Sequence, residues 1–266
     1  MASLPRLAIF VSFASLLLLS ASSSQLPGAK ESTTSSGDKV PLALYYESLC
    51  PYSANFIVNY LVRVFEDDEL FSIVDLYLSP WGNAKIRSNG TFVCQHGEAE
   101  CLLNTVEACA IHAWPKLEKN FPFIYCVEEK VHEGKYREWE SCFGELALDP
   151  KPIQDCYSSG YGEKLELKYA AETNELEPPH QYVPWVVVDG KPLYEEYENV
   201  ISYICEAYKG TATPKACSSQ VSRSIIQKGR KTGRPSAPVC YKDSVVSNLS
   251  KMIRSAISKL IQAMVI

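Results

Sequence analysis

Apolar residues fall into runs whose spacing changes along the chain. Val40 to Tyr46 is an apolar, strand-like run. Phe56, Ile57, Tyr60, Leu61, Val64 and Phe65 then recur at helical spacing and lay one stripe along a helix of about four turns. Phe71 to Leu78, rich in aromatic and branched residues, predicts a second strand. Strand, helix and strand with short joints make a βαβ unit, which implies a parallel pair and a right-handed crossover.

From Trp81 to Pro179 the pattern turns helical and cysteine-rich. Leu102, Leu103, Val106 and Ala110 are expected to share a helix face, and Tyr136–Leu148 and Lys164–Leu176 are further helical candidates. After Pro178-Pro179 the strand signals return. Trp185–Val188 is a short buried-type strand, Asp189-Gly190 a tight hairpin turn, and Pro192–Tyr194 a return strand. A last amphipathic helix is expected from Glu196 to Tyr208, with Val200, Ile201, Ile204 and Cys205 inward. The order is therefore βαβ, a helical insert over residues 81–179, then ββα.

The ends differ from the middle. Residues 1–23 read as a secretory signal peptide: Arg6, an apolar stretch from Leu7 to Leu19, then the small residues Ala21, Ser22 and Ser23. The stretch is shorter than the ~20 residues that span a bilayer. Residues 24–38 are a polar linker, 39–210 the folded domain, and 211–266 a basic tail or propeptide. Residues 1–210 carry 16 Lys and Arg against 30 Asp and Glu, whereas the tail carries ten against one. An apolar stripe at Val246, Leu249, Ile253, Ile257, Leu260 and Met264 makes the tail a candidate for weak membrane contact. The overall net charge of −5 excludes a chain built mainly to grip nucleic acid. Behind a signal peptide, Asn89-Gly90-Thr91 and Asn248-Leu249-Ser250 are glycosylation candidates, and a secreted or lysosomal (vacuolar) lumen is the expected location.

Ten cysteines fit an oxidising compartment. Cys50 stands apart, because it lies where the first strand gives way to the first helix. Unpaired N–H groups and the positive end of the helix dipole at that point favour a thiolate, as a redox nucleophile requires. Pro184 lies just before the third strand of a βαβ…ββα order of the thioredoxin type. A proline there is usually cis and faces the redox cysteine, leaving the preceding backbone free to pair with a substrate strand.

The segment Cys94-Gln95-His96-Gly97-Glu98-Ala99-Glu100-Cys101-Leu102-Leu103-Asn104-Thr105-Val106-Glu107-Ala108-Cys109 matches C-Q-H-G-x-x-E-C-x-x-N-x-x-x-x-C. This pattern resembles the signature of the gamma-interferon-inducible lysosomal thiol reductase (GILT) family, as does Tyr182-Val183-Pro184-Trp185 around its cis-proline. The resemblance covers residues 40–217. It implies an α/β, thioredoxin-like fold with a cysteine-rich helical insertion, and thiol reductase activity on protein disulfides, with disulfide-containing polypeptides as partners. The signature itself reads as structural. Cys101 and Cys109 lie eight apart on one helix, cannot bond each other and must reach different partners. The six- and seven-residue gaps are not zinc spacing, so no metal is expected. His96 reads as a loop histidine making a structural hydrogen bond, with proton carriage as the alternative.

The departure from the family's Cys-x-x-Cys motif is Ser53, in Cys50-Pro51-Tyr52-Ser53. A serine cannot resolve a mixed disulfide, so Cys50 is expected to act as a monothiol, with an external thiol as reductant and no cofactor. The alternative is a non-catalytic, polypeptide-binding relative; a third reading, a disulfide-stapled scaffold, would have Cys50 oxidised and paired. Setting Cys50 aside leaves nine cysteines. Cys94, Cys101, Cys109, Cys126, Cys142, Cys156, Cys205 and Cys217 are structural disulfide candidates, of undetermined connectivity. Cys240 is the odd one: free, linking two chains as a disulfide dimer, or capping Cys50.

Overall fold

The computed structural model describes residues 39–218 and 238–242. Strand β1 (Val40–Tyr46) alternates buried and more exposed positions, and its inward residues Val40, Leu42, Leu44 and Tyr46 are all buried. Fully burying each of those leucines contributes about 1.5–3 kcal/mol. Helix α1 (Pro51–Phe56) runs through a π-helical turn at Ile57–Leu61 into α2 (Val62–Phe65), an unbroken helical run carrying the predicted stripe. A short helix α3 (Asp68–Ser72) precedes β2 (Val74–Pro80).

The second strand therefore starts later than Phe71. Asp67 causes the delay: its side chain accepts from the N–H groups of Glu69 and Leu70, each at 3.0 Å, and so nucleates a helical turn. Phe71 lies on that turn and stacks obliquely on Phe65, ring centroids 5.0 Å apart.

The insert opens with a two-residue hairpin, β3 (Lys85–Ile86) and β4 (Phe92–Val93). Helices α4 (Glu98–Ala113), α5 (Leu117–His132), α6 (Ser141–Glu145), α7 (Lys151–Ser158) and α8 (Tyr161–Asn174) follow, with a 3-10 turn at Tyr136–Glu138. On α4 the expected apolar face is wrong at Leu102, which is exposed, while Leu103, Val106 and Ala110 are buried. The helix instead turns inward three polar side chains, Glu100, Asn104 and Glu107. An apolar count cannot register a face partly made of acids and an amide.

The chain returns through β5 (Tyr182–Val183), β6 (Trp185–Val188) and β7 (Lys191–Pro192). The β6–β7 turn places Asp189 at φ 48° and Gly190 at φ 73°, the left-handed pair a tight hairpin requires. A 3-10 stretch (Tyr194–Asn199) leads into α9 (Val200–Ala207), so the expected helix starts as a tighter coil. Val200 and Ile204 are buried, while Ile201 and Cys205 pack only partly inward.

The main sheet has the order β2-β1-β6-β7. β1 pairs parallel with β2, from Val40 opposite Val74 to Tyr46 opposite Pro80, and antiparallel with β6, Leu42 opposite Val188. This is the thioredoxin-like sheet the sequence predicts, with the helical insert placed between its two halves. One core packs this sheet against the first helical run and α9; a second lies inside the insert, around Val106, Phe123, Val127 and Ile153. A last strand, β8 (Cys240–Tyr241), pairs antiparallel with β5.

Candidate active site around Cys50

Cys50 caps the first helical run from an extended backbone, and Pro51 occupies the first helical position. Proline has no N–H to lose there and its φ is already helical. The geometry leaves the N–H groups of Tyr52 and Ser53 without intrahelical acceptors beside the sulfur. Ser53 is buried one turn on, and its Oγ has no hydrogen-bond partner. Across the site, the Val183–Pro184 bond is cis. Cys50 Sγ lies 3.7 Å from Val183 O, and Cys50, Val183 and Cys240 form one small buried cluster with Tyr52 packed against it.

Cys50 is bonded to Cys240, 190 residues away. The residues around Cys240 are seated as an added strand. Tyr182 stands opposite Tyr241 and Val183 opposite Cys240, and Lys242 N–H donates to Gln181 O at 3.0 Å. Asn83 Nδ2 donates to Cys240 O at 3.0 Å, Gln95 Nε2 to Tyr241 O at 2.8 Å, and Tyr197 OH to Pro238 O at 2.6 Å. The ring of Tyr241 meets that of Tyr182 edge-on, centroids 5.6 Å apart. Almost all of these polar contacts are to backbone, so they would hold any extended chain in this place.

Of the three outcomes expected for Cys240 this is the cap on Cys50, and it is also the paired state of Cys50 that a disulfide-stapled scaffold would have. Cys240 is not the odd sulfur of a dimer, because the ten cysteines close into five pairs within the chain: Cys50–Cys240, Cys94–Cys101, Cys109–Cys156, Cys126–Cys142 and Cys205–Cys217. Past residue 210 the described chain is tied to the rest of the fold, Cys217 being bonded back to Cys205 and residues 238–242 docking beside Cys50. The signal peptide, the linker, Asn248 and the amphipathic stripe from Val246 lie outside the described residues. Asn89 sits in an exposed turn, its Oδ1 accepting from Thr91 N–H at 3.1 Å.

The signature residues converge on this site. Gly97 starts α4 at φ 93°, a conformation L side chains rarely adopt. Cys94–Cys101 ties the preceding loop to α4, and Cys109–Cys156 ties α4 to α7. Cys101 and Cys109 thus reach different partners, as their spacing on one helix demands. Asn104 Oδ1 accepts from Ser48 N–H at 2.9 Å and Ser48 Oγ at 2.8 Å, clamping the turn before Cys50 onto α4. His96 Nδ1 is hydrogen-bonded to Glu100 Oε2 and lies 3.6 Å from Glu47 Oε2, while its Nε2 is 3.9 Å from Cys240 Sγ. Glu47 is fully buried, and its Oε1 accepts from Asn83 N–H at 2.7 Å.

Glu47, His96 and Cys240 place potential ligand atoms within 4.8 Å of one another, but in this state the Cys240 sulfur is spent in a disulfide and offers no thiolate. Sequence reasoning missed Glu47, Asn83 and Tyr197 altogether. The signal for Cys240 was parity, and the signal for Gln95 and His96 was the signature.

Behind the site lies a set of buried acids. Tyr46 OH donates to Glu107 Oε2. Burial pushes the Glu107 carboxyl up to about 7, against hydrogen bonds from Tyr46 and Glu128 that pull it down. Burial, reinforced by repulsion from Glu107, holds Glu128 and Glu166 well above the usual carboxylate range. Burial likewise lowers His180 to about 4, with Lys242 adding to the effect.

Residues 41–146 match the family model described as gamma interferon inducible lysosomal thiol reductase (GILT). The chain is 47% identical over 190 residues to the gamma-interferon-responsive lysosomal thiol protein of Arabidopsis thaliana, covering 70% of this chain and 78% of that relative. It is 39% identical over 210 residues to the gamma-interferon-inducible lysosomal thiol reductase of Mus musculus, covering 76% and 77%. Among solved structures, Chlamydia trachomatis DsbA aligns at TM-score 0.45 and 14% identity over 71% of this chain and 98% of that one. A Cys50-capped helix facing a cis-proline on a thioredoxin-type sheet, the signature helix bracing it, and relatives this similar over this much of their length together place the chain in the GILT family of thiol reductases.

Proposed function

We propose that Cys50 is the attacking thiol of this reductase and that its substrates are extended polypeptide segments carrying a disulfide, laid along β5 beside Pro184. The observation that carries this reading is the seating of residues 238–242. An extended chain with a cysteine at its centre is bonded to Cys50, pairs its backbone with Tyr182–Val183, and is held at its carbonyls by Asn83 and Gln95. That is the arrangement of a mixed disulfide between the protein and a bound peptide strand.

Within Cys50-Pro51-Tyr52-Ser53 only Cys50 can exchange. The start of the helical run stabilises negative charge on its sulfur, and Ser53 Oγ, buried without a partner, is available to donate to it. The reducing equivalents come from a small external thiol. The working compartment is the lumen of the secretory or endolysosomal route, as the lysosomal naming of the relatives and the five disulfides suggest. No helix among the described residues is long and apolar enough to cross a membrane.

The test is reduction of a disulfide-quenched fluorescent peptide with a small thiol present. The wild-type rate should exceed background, and Cys50→Ser should return it to background. A Cys50→Ser protein as fast as wild type would remove Cys50 from the reaction, and a wild type no faster than background would leave a polypeptide-binding relative.

A further inference from the structure

A thiol reductase with a single thiol in its Cys-x-x-Ser motif needs something to release the second half of its substrate. We propose that Cys240 is the resolving cysteine of Cys50, so that a C-terminal strand supplies the thiol that position 53 lacks. The inference deepens the reading above, since it rests on Cys50 as the attacking group.

Three independent features of the site carry it. The first is connectivity: the cysteine that this chain brings to Cys50 already forms the expected product, a Cys50–Cys240 disulfide. The second is a relay aimed at the resolving sulfur. With His96 Nδ1 donating to the Glu100 carboxyl, Nε2 is the ring's acceptor, and it lies 3.9 Å from Cys240 Sγ. A carboxyl, an imidazole and a thiol in that order are what a thiol needs to become a nucleophile. The third is competition for one groove. β8 takes the β5 backbone positions that a substrate strand needs, so its docking ejects what was there.

The chemistry balances in two exchanges. Cys50 releases its proton to solvent and attacks a substrate sulfur as the thiolate; the Cys50–substrate bond forms, the substrate disulfide breaks, and the first substrate sulfur leaves as a thiolate that takes a proton from solvent. Cys240 then gives its proton to His96 Nε2, and its sulfur attacks Cys50 Sγ. The Cys240–Cys50 bond forms, the Cys50–substrate bond breaks, and the departing sulfur takes the proton back from His96. The substrate gains two electrons and two protons, and Cys50 and Cys240 are oxidised to the disulfide seen here. A small thiol, two equivalents oxidised to their own disulfide, returns the pair to dithiol.

This arrangement gives the signature's Gln95 and His96 a purpose beyond structure. Gln95 and Asn83 hold whichever strand occupies the groove, and His96 handles the proton of whichever sulfur lies opposite Cys50. Because the resolving strand is part of the same chain, it acts at an effective concentration a dilute external thiol does not reach.

The experiment uses the full chain with the Cys50–Cys240 pair reduced by millimolar dithiothreitol under native conditions, the other four disulfides intact, and then freed of reductant. It is mixed with one equivalent of a substrate made of two different fluorescent peptides joined by one disulfide. Wild type should release both peptides and end as Cys50–Cys240. Cys240→Ser should still release the first peptide but keep the second on Cys50 as a stable adduct. His96→Gln should slow the second release by about a hundredfold, the scale of a lost general base. A Cys240→Ser protein that releases both peptides as fast as wild type overturns the proposal; one that does so faster makes β8 a mask over Cys50. A Cys50–Cys240 bond that survives millimolar dithiothreitol in the native protein makes it a structural staple and also overturns the proposal. Failure of wild type, once reduced at Cys50, to release even the first peptide instead defeats the underlying assignment of Cys50, and the resolving role with it.

Discussion

Replacing Glu107 with glutamine should flatten the pH dependence of stability. Glu107 is fully buried on α4, accepts the Tyr46 hydroxyl, and titrates in the fold at about 7 against 4.5 for an exposed glutamate. A raised folded-state value means that the folded protein holds this proton more tightly than the unfolded chain. Its stabilising contribution is therefore complete below about pH 4.5 and disappears as pH rises through 7. A difference of about 2.5 pH units corresponds to about 3 kcal/mol. Glutamine has the same shape and can still accept from Tyr46, but it cannot ionise. Urea unfolding of the oxidised protein at pH 5 and pH 8 reads the effect: from the lower to the higher pH, wild type should lose about 2–3 kcal/mol more than Glu107→Gln. Glu128 and Glu166, also held high, push in the same direction, and His180, held low, pushes the opposite way as pH falls from 6.5 toward 4. His180, which Glu107 does not perturb, contributes alike in both proteins and cancels in the difference, whereas Glu128 and Glu166 lose the repulsion of Glu107 in the variant and so add to the flattening. Equal pH dependence in the two proteins would refute the assignment of a buried, protonated carboxyl at Glu107.

Two further substitutions test the site. Ser53→Cys in a Cys240→Ser background should restore release of the second peptide, and peptide mapping should then find Cys50 bonded to the thiol introduced at position 53, because the side chains at the helix cap and one turn on are neighbours. Gly82→Ala should cost about 2 kcal/mol in urea unfolding: Gly82 sits at φ 56°, and an added Cβ would lie 2.5 Å from Glu47 Cγ and 3.1 Å from Tyr46 O.

Much of the sheet is legible in the sequence because its strands are driven by local patterns. Val40–Tyr46 and Trp185–Val188 appear at the expected bounds, since alternation in one and an unbroken apolar run in the other report burial directly. Helix α5 is not among the expected elements. Pro122 lies inside it, and local propensity argues against a helix there; burial of Phe121, Phe123, Ile124 and Val127 and the Cys126–Cys142 bond override the proline. Leu102 is misplaced because α4 buries Glu100, Asn104 and Glu107, whose worth depends on partners from distant segments. The site shows the same division. Cys50, Pro184 and the signature helix are local signals, but the bond from Cys50 to Cys240 spans 190 residues, and spacing carries no connectivity over that distance. Ten cysteines with one set aside for catalysis could say only that a ninth lacked a mate.

The most direct measurement of the central assignment is to find which cysteine carries the substrate. Reduced wild-type and Cys240→Ser proteins, mixed with a peptide disulfide and quenched with acid, are digested without reduction and mapped by mass spectrometry. Cys50 should be the site of attachment in both, briefly in wild type and persistently in Cys240→Ser. Peptide attached instead at Cys94, Cys205 or another of the paired cysteines, with Cys50 unmodified, would contradict Cys50 as the attacking thiol.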